Sequence, residues 1–352
     1  MIDPGLPARR PPVPGLPGRA LALAYGAFVA RRNRRYDRGK GMVMLDRPVI
    51  SVGNLSVGGT GKTPIVTHLV RALLDAGRRP AIAMRGYAPR HSADGSSDEA
   101  SLYRDELRGV PVVAQADRVE GLLRLFATPE GEKVDCVVLD DGFQHRKLAR
   151  QLDVVLVDAT RDPFLDALLP AGWLREPVAS LKRARWVVLT HAESVDPGST
   201  YRLGMAVRAV DPAIRVAIAR HTWKDLTIES ASGRDLVGTR WLQGKKVLAV
   251  CAIGNPGPFL AAVENAVGDQ PVDRIVLRDH DPYRDPTIRR IIEQARGLNA
   301  VVITNKDWMK LLREPLSSWP CPIARPNLEI KFDSGRDDLV RDAVATASSR
   351  VM

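Results

Sequence analysis

The chain has 352 residues, 45% of them hydrophobic and 26% charged, enough for two domains with cores of their own, which excludes a disordered chain. Its 52 Lys and Arg against 41 Asp and Glu leave a net charge of +11, so an anionic partner is expected: nucleic acid, a phosphorylated ligand or an acidic lipid surface. Cys136, Cys251 and Cys321 are odd in number and lack CxxC spacing, which excludes a cysteine metal site and points to a reducing compartment, while 5% aromatics with no stacking pattern among the basic residues speak against nucleic acid.

At the N-terminus a Pro/Gly-rich stretch, Pro4 to Gly18, precedes an apolar run from Ala20 to Ala30 and then Arg31, Arg32, Arg34, Arg35, Arg38 and Lys40. An apolar run of about eleven residues falls short of the ~20 that span a bilayer. A signal peptide is the rival reading, but it would carry the nucleotide-binding loop described below away from its nucleotide. An ordinary helix packed on the domain is the other alternative; residues 1–46 are read as an apolar-basic helix on a membrane surface.

From Pro48, short β-branched runs alternate with helical stretches. VISV at 49–52 leads to a helix after Lys62 with apolar Ile65, Val66, Leu69, Val70, Leu73 and Leu74, and then to PAIAM from Pro80. VPVVA from Val110, CVVLD from Cys136, DVVLVD from Asp153 and WVVLT from Trp186 are continuous apolar runs, as strands covered on both faces require. A doubly wound α/β domain over 47–215 follows. Polar alternation over 216–243 reads as a two-stranded hairpin linker. A second, smaller α/β/α unit over 244–352 begins with KVLAVCAI and ends in a helix from Asp337.

The most informative segment is PVISVGNLSVGGTGKTP, a buried strand running through a glycine-rich loop into a helix. This is the context of a phosphate-binding loop. The backbone N–H groups of Gly58, Gly59, Thr60 and Gly61 form an anion nest, Lys62 reaches the β- and γ-phosphates, and the Thr63 hydroxyl is a Mg²⁺ ligand. The pattern GxxxxGK[ST] begins with Ser56 in place of its first glycine. A second strand ends in Asp140 and Asp141, carboxylates suited to Mg²⁺ or its water. The expected cofactors are therefore ATP and Mg²⁺.

These segments, together with RGY at 85–87, DE at 98–99, DDGFQHR at 140–146, LPAGWLREP at 169–177, IGNP at 253–256 and DH at 279–280, resemble the tetraacyldisaccharide 4'-kinase family from about residue 49 to 310. The resemblance implies two α/β/α domains joined by a two-stranded linker. It also implies transfer of the ATP γ-phosphoryl group to the 4'-hydroxyl of an acylated glucosamine disaccharide 1-phosphate, at the cytoplasmic face of the inner membrane of a Gram-negative bacterium. By the same resemblance Asp98 is the general base and His280 its support, a sensible pairing because a sugar hydroxyl must lose its proton as the new P–O bond forms. Arg175 is a candidate for stabilising phosphoryl charge, and Arg85, Gln144, His145, Arg146 and Glu176 are candidates for positioning. The sequence departs from the family's usual residues at Ala88, Pro89, Ala100 and Asn305. None of these positions carries a proposed chemical role.

Two rivals differ in class. A GTPase would need NKxD, but Asn305, Lys306, Asp307 and Trp308 put tryptophan where the second carboxylate belongs. A nucleotide-switched binding protein would leave Asp98 and His280 structural and would turn over ATP without a lipid acceptor.

Overall fold

The computed structural model describes residues 11–86, 98–268, 272–279, 281–311 and 314–349, with only the backbone of 98–99 described. The chain divides into two compact units, one running to Arg220 and resuming at Ile330, the other His221–Glu329.

The first unit opens with α1 (Gly15–Asp37), longer at both ends than the apolar run that marks it. There follow β1 (Val49–Asn54), α2 (Lys62–Asp75), β2 (Pro80–Met84), α3 (Asp98–Glu106), β3 (Val112–Ala114), α4 (Arg118–Phe126), β4 (Cys136–Asp140), β5 (Leu152–Asp158), β6 (Trp186–Thr190), α5 (Pro197–Val210) and the start of β7 (Arg215–Ser230). The strands lie in the order β3-β2-β4-β1-β5-β6-β7, and every neighbouring pair is parallel. Strands β1, β4, β5 and β6 are buried at every residue, which is why their sequences are continuous apolar runs. On α2, Ile65, Val66, Leu69, Val70 and Leu73 form a buried stripe, each contributing roughly 1.5–3 kcal/mol of apolar burial. From β1 the chain leaves toward β2, whereas from β4 it leaves toward β5. The carboxyl ends of these adjacent strands therefore bound a crevice at a topological switch point, where α/β sheets bind ligands. Register pairs Val52 with Asp140, placing the strand-end carboxylate beside the start of the glycine-rich loop.

The second unit takes in the outer part of β7, β8 (Gly233–Val237), β9 (Val247–Cys251), α6 (Gly257–Val267), β10 (Val272–Val276), α7 (Asp285–Gln294), β11 (Ala300–Ile303), α8 (Asn305–Leu311) and the start of β12 (Ile323–Ser334). Its parallel strands run β10-β9-β11-β12. Leu248, Val250, Ile288, Ile291, Val301, Ile303 and Trp308 belong to its core.

One expectation about organisation is corrected, and one boundary is located. The segment 216–243 contains a hairpin, β7 with β8 from Leu226↔Val237 to Ser230↔Gly233, and the first unit ends inside that segment, at Arg220. The chain leaves the first unit within β7 and returns within β12, so one strand runs out and another runs back. The C-terminal helix α9 (Arg336–Ala347) belongs to the first unit rather than to a domain over 244–352. Its Leu339, Ala343 and Ala347 are buried in the same core as the α2 stripe. Asp342 accepts hydrogen bonds from Trp186 Nε1 (2.9 Å) and Arg215 Nη1 (3.0 Å). Gly335, at φ +79°, makes the turn into this helix where a Cβ would lie 2.8 Å from that of Ala217.

Candidate active site

Strand β1 delivers the chain into the loop Leu55–Gly61, and α2 begins at Lys62. Gly61 caps that helix in the left-handed region (φ 72°) without a side-chain hydrogen bond, and Gly58 has φ 125°. Both conformations disfavour a Cβ. The first N–H groups of α2 thus have no side-chain cap and the positive end of the helix dipole beside them, a ready anion site. Lys62 and Thr63 occupy its first turn.

The loop is fastened on three sides. Within it, buried Asn54 Nδ2 donates to Thr60 Oγ1 at 3.0 Å, and Thr190 Oγ1, at the end of β6, donates to the Thr60 carbonyl at 3.0 Å. Gln144 Nε2 donates to the Asn54 carbonyl at 2.9 Å. Along the outer edge, Val57 N donates to Trp173 O (2.8 Å), Arg175 N donates to Leu55 O (2.7 Å), and Ser56 bridges Leu174 in antiparallel fashion. This last pairing accounts for the missing glycine. Ser56 is held in a β-bridge and is not among the described positive-φ residues, so its position does not require one.

Opposite the loop, the turn after β4 brings charges together. Asp141 adopts φ 51°, an unusual conformation for a residue with a Cβ. Its carboxylate lies 3.4 Å from Lys62 Nζ and accepts from Arg175 Nη1 at 2.8 and 3.0 Å, while Arg118 Nη1 donates to its backbone carbonyl at 3.2 Å. Burial alone would raise this carboxyl. The adjacent Lys62 and Arg175 cations, helped by Arg118, overcome that and hold it down at about 2. Asp140 differs: it is buried and accepts the Tyr103 hydroxyl at 3.0 Å, which fastens α3, the helix opened by Asp98, to the end of β4. Asp140 ends β4, Asp141 follows it, and Thr63 lies in the first turn of α2; oxygen donors of this kind suit Mg²⁺ better than softer metals.

The structure thus gathers Gly58, Gly59, Thr60, Gly61, Lys62, Thr63, Asp140, Asp141 and Arg175 in one unit. The Asp98 side chain and all of His280 lie outside the described residues. Among the positioning candidates, Gln144 touches the loop and also accepts from Arg175 Nη1 at 3.4 Å. Arg146 instead faces α1, 2.8 Å from Asp37 and donating to the Asn33 carbonyl at 3.0 Å. Glu176 is buried, and Arg85 is exposed just after β2. The sequence reading missed Asn54, Tyr103, Arg118 and Thr190. Only Asn54 carries a signal, as a polar residue closing an apolar strand beside the loop.

A comparison with family models matches tetraacyldisaccharide-1-P 4'-kinase over residues 18–344. The tetraacyldisaccharide 4'-kinase of Chlorobaculum parvum is 35% identical over 314 residues, covering 84% of each chain. That of Anaeromyxobacter sp. strain K is 35% identical over 321 residues, covering 85% of this chain and 83% of its own. Among solved structures, that of the "apo" form of LpxK from Aquifex aeolicus in complex with ATP superposes with a TM-score of 0.69 at 28% identity, covering 94% of this chain and 98% of that one. With the family model matched over most of its length, and a phosphate-binding loop facing a carboxylate and arginine cluster, this chain belongs to the tetraacyldisaccharide 4'-kinase family and is a kinase of lipid A biosynthesis.

Proposed function

We propose that the chain transfers the γ-phosphoryl group of ATP to the 4'-hydroxyl of tetraacyldisaccharide 1-phosphate, giving the 4'-phosphorylated, lipid IVA-type product and ADP. The observation that carries this reading is the convergence of Lys62, Arg175 and Asp141 beside the first turn of α2. In it, the N–H groups of 58–61 cradle phosphate oxygens and Lys62 bridges the β- and γ-phosphates. Arg175 stabilises charge spread over the equatorial oxygens. Thr63, Asp140 and Asp141 would hold Mg²⁺, which when bound neutralises phosphate charge. The Asp98 carboxylate takes the proton of the 4'-hydroxyl as its oxygen bonds to phosphorus and the bond to the β,γ-bridging oxygen breaks. His280 orients that carboxylate.

The acceptor is a lipid, and α1 supports work at a membrane surface. Gly18, Ala22 and Val29 face inward, whereas Leu16 (78% exposed), Leu23 (77%), Phe28 (63%) and Leu21 (53%) face out, followed by exposed Arg31, Arg34, Arg35, Arg38 and Lys40. No described helix is long and apolar enough to cross a membrane. The reading therefore has α1 in the interface, its apolar side chains at the acyl boundary and its cations on anionic headgroups of the cytoplasmic face of the inner membrane, with no nucleic-acid partner.

The test is the acceptor dependence of ATP turnover. Purified protein with Mg-ATP is expected to release ADP only when tetraacyldisaccharide 1-phosphate is present in detergent micelles, with the new phosphate located on the 4' position by NMR. Acceptor-free ATP hydrolysis without lipid product would favour a nucleotide-switched binding protein.

A further inference from the structure

Glu176 follows Arg175 in the chain, yet its side chain is 0% exposed. Three groups meet its carboxylate. Asn33 Nδ2 donates to Oε2 at 2.7 Å, Arg183 Nη1 lies 3.0 Å from Oε2, and Arg32 Nη2 lies 3.5 Å from Oε1. Two of these partners stand in the last turns of α1. The third, Arg183, also lies over the ring of Phe143 at 4.2 Å, within the segment that carries Asp140 and Asp141. Higher on α1, the Tyr25 hydroxyl donates to the Arg175 carbonyl at 2.9 Å.

The short segment 173–176 is thus pinned along two edges. One edge pairs with the phosphate-binding loop, through Val57 N to Trp173 O and Arg175 N to Leu55 O. The other is held by α1, through Tyr25 to the Arg175 carbonyl and through Asn33 and Arg32 to Glu176. Between them, the Arg175 side chain reaches Asp141. A carboxylate taken out of water is costly unless paired, and a buried ion pair is weak evidence for stability alone. The arrangement does fix a geometry: it leaves residues 173–176 little freedom relative to either α1 or the loop.

We propose that Glu176 is a positioning residue, tying segment 173–176 to α1 so that the Arg175 guanidinium is set at Asp141 and the outer edge of the phosphate-binding loop is held in place. Helix α1 is then a wall of the nucleotide site on its inner face, in addition to whatever its outer face contacts. The proposal rests on the reading of residues 56–63 as the ATP phosphate cradle and not on the identity of the acceptor.

The test compares wild type with E176A, E176Q and N33A, each checked by circular dichroism and thermal midpoint. Calorimetry gives the Mg-ATP Kd without lipid, and steady-state kinetics give kcat and the lipid KM in micelles. Loss of a buried charged hydrogen bond predicts an Mg-ATP Kd weakened, and a kcat lowered, about tenfold in E176A. N33A, which removes one of the partners, is expected to lose about threefold in both. E176Q keeps the shape and an acceptor oxygen and is expected to recover most of the loss, with the lipid KM within about twofold of wild type throughout. Wild-type ATP affinity and kcat in a folded E176A would overturn the proposal, as would wild-type values in N33A if E176A fails to fold. A rise confined to the lipid KM would also overturn it, assigning the α1 contact to acceptor docking. If wild type phosphorylates no lipid, the proposed function fails while the Mg-ATP arm still decides this inference.

Discussion

Arg175 and Asp141 lie 34 residues apart in sequence and share hydrogen bonds of 2.8 and 3.0 Å, with Lys62 Nζ 3.4 Å away on the same carboxylate. On the proposed function, this guanidinium, sharing one acid with Lys62 beside a helix N-terminus, stabilises the charge that develops on the phosphoryl group. Replacing Arg175 with Ala is therefore expected to lower kcat on the order of 10²-fold. Lys at the same position keeps a charge but loses the planar fork, so it should recover only part of the loss. Steady-state kinetics at saturating ATP check this, and an R175A enzyme within about threefold of wild type would remove Arg175 from the phosphoryl site.

His145 gives a pH dependence with a definite sign. Burial, together with the nearby Arg118 and Arg150 guanidiniums, pulls its imidazole from 6.5 down to about 4. The folded protein keeps the ring neutral while the unfolded chain takes up a proton, so between pH 6.5 and about 4 the unfolded state binds more protons and stability falls as pH falls. The loss from this group is on the order of 2 kcal/mol after discounting for the ring's partial exposure. Urea midpoints measured across that window should decline less steeply in His145→Asn. Parallel wild-type and variant profiles would contradict it.

Leu339 tests the assignment of α9 to the first unit. It is fully buried in the core that includes Ile65, Val66 and Leu69. Truncation to Ala should cost about 2–5 kcal/mol, read as a lower urea midpoint at unchanged m-value. Fluorescence of Trp186, whose Nε1 hydrogen-bonds Asp342 on the same helix, should follow the same transition. A loss below about 0.5 kcal/mol would mean that α9 is not part of that core.

The outer face of α1 makes a prediction about surfaces. Changing Leu16, Leu23 and Phe28 together to Ser removes the most exposed large apolar side chains of that helix. Co-sedimentation with vesicles containing anionic lipid should then fall at least about tenfold, and high salt should weaken the wild-type interaction. Equal sedimentation of the two proteins would exclude α1 as the membrane contact.

The parts legible in the sequence were those that local physics dictates. Strands β1, β4, β5 and β6 announce themselves as unbroken apolar runs because both faces are covered, and Gly58 and Gly61 mark a loop whose backbone needs positive φ. What stayed hidden depends on long-range partners. The apolar stripe of α9 says that the helix is buried but not that it returns to the first unit. LREP reads as a charged loop, yet Glu176 is buried because α1 supplies Asn33 and Arg32 from more than 140 residues away. Arg118 and Tyr103 reach Asp141 and Asp140 from helices whose local sequence carries no sign of it.

The most direct test of the central claim is single-turnover transfer of labelled γ-phosphate from ATP to tetraacyldisaccharide 1-phosphate by wild type, Lys62→Ala and Asp98→Ala. Labelled lipid from wild type, its loss in both variants, and retained Mg-ATP binding in Asp98→Ala are the predicted results. No labelled lipid from wild type, with labelled inorganic phosphate released in the absence of acceptor, would contradict the account.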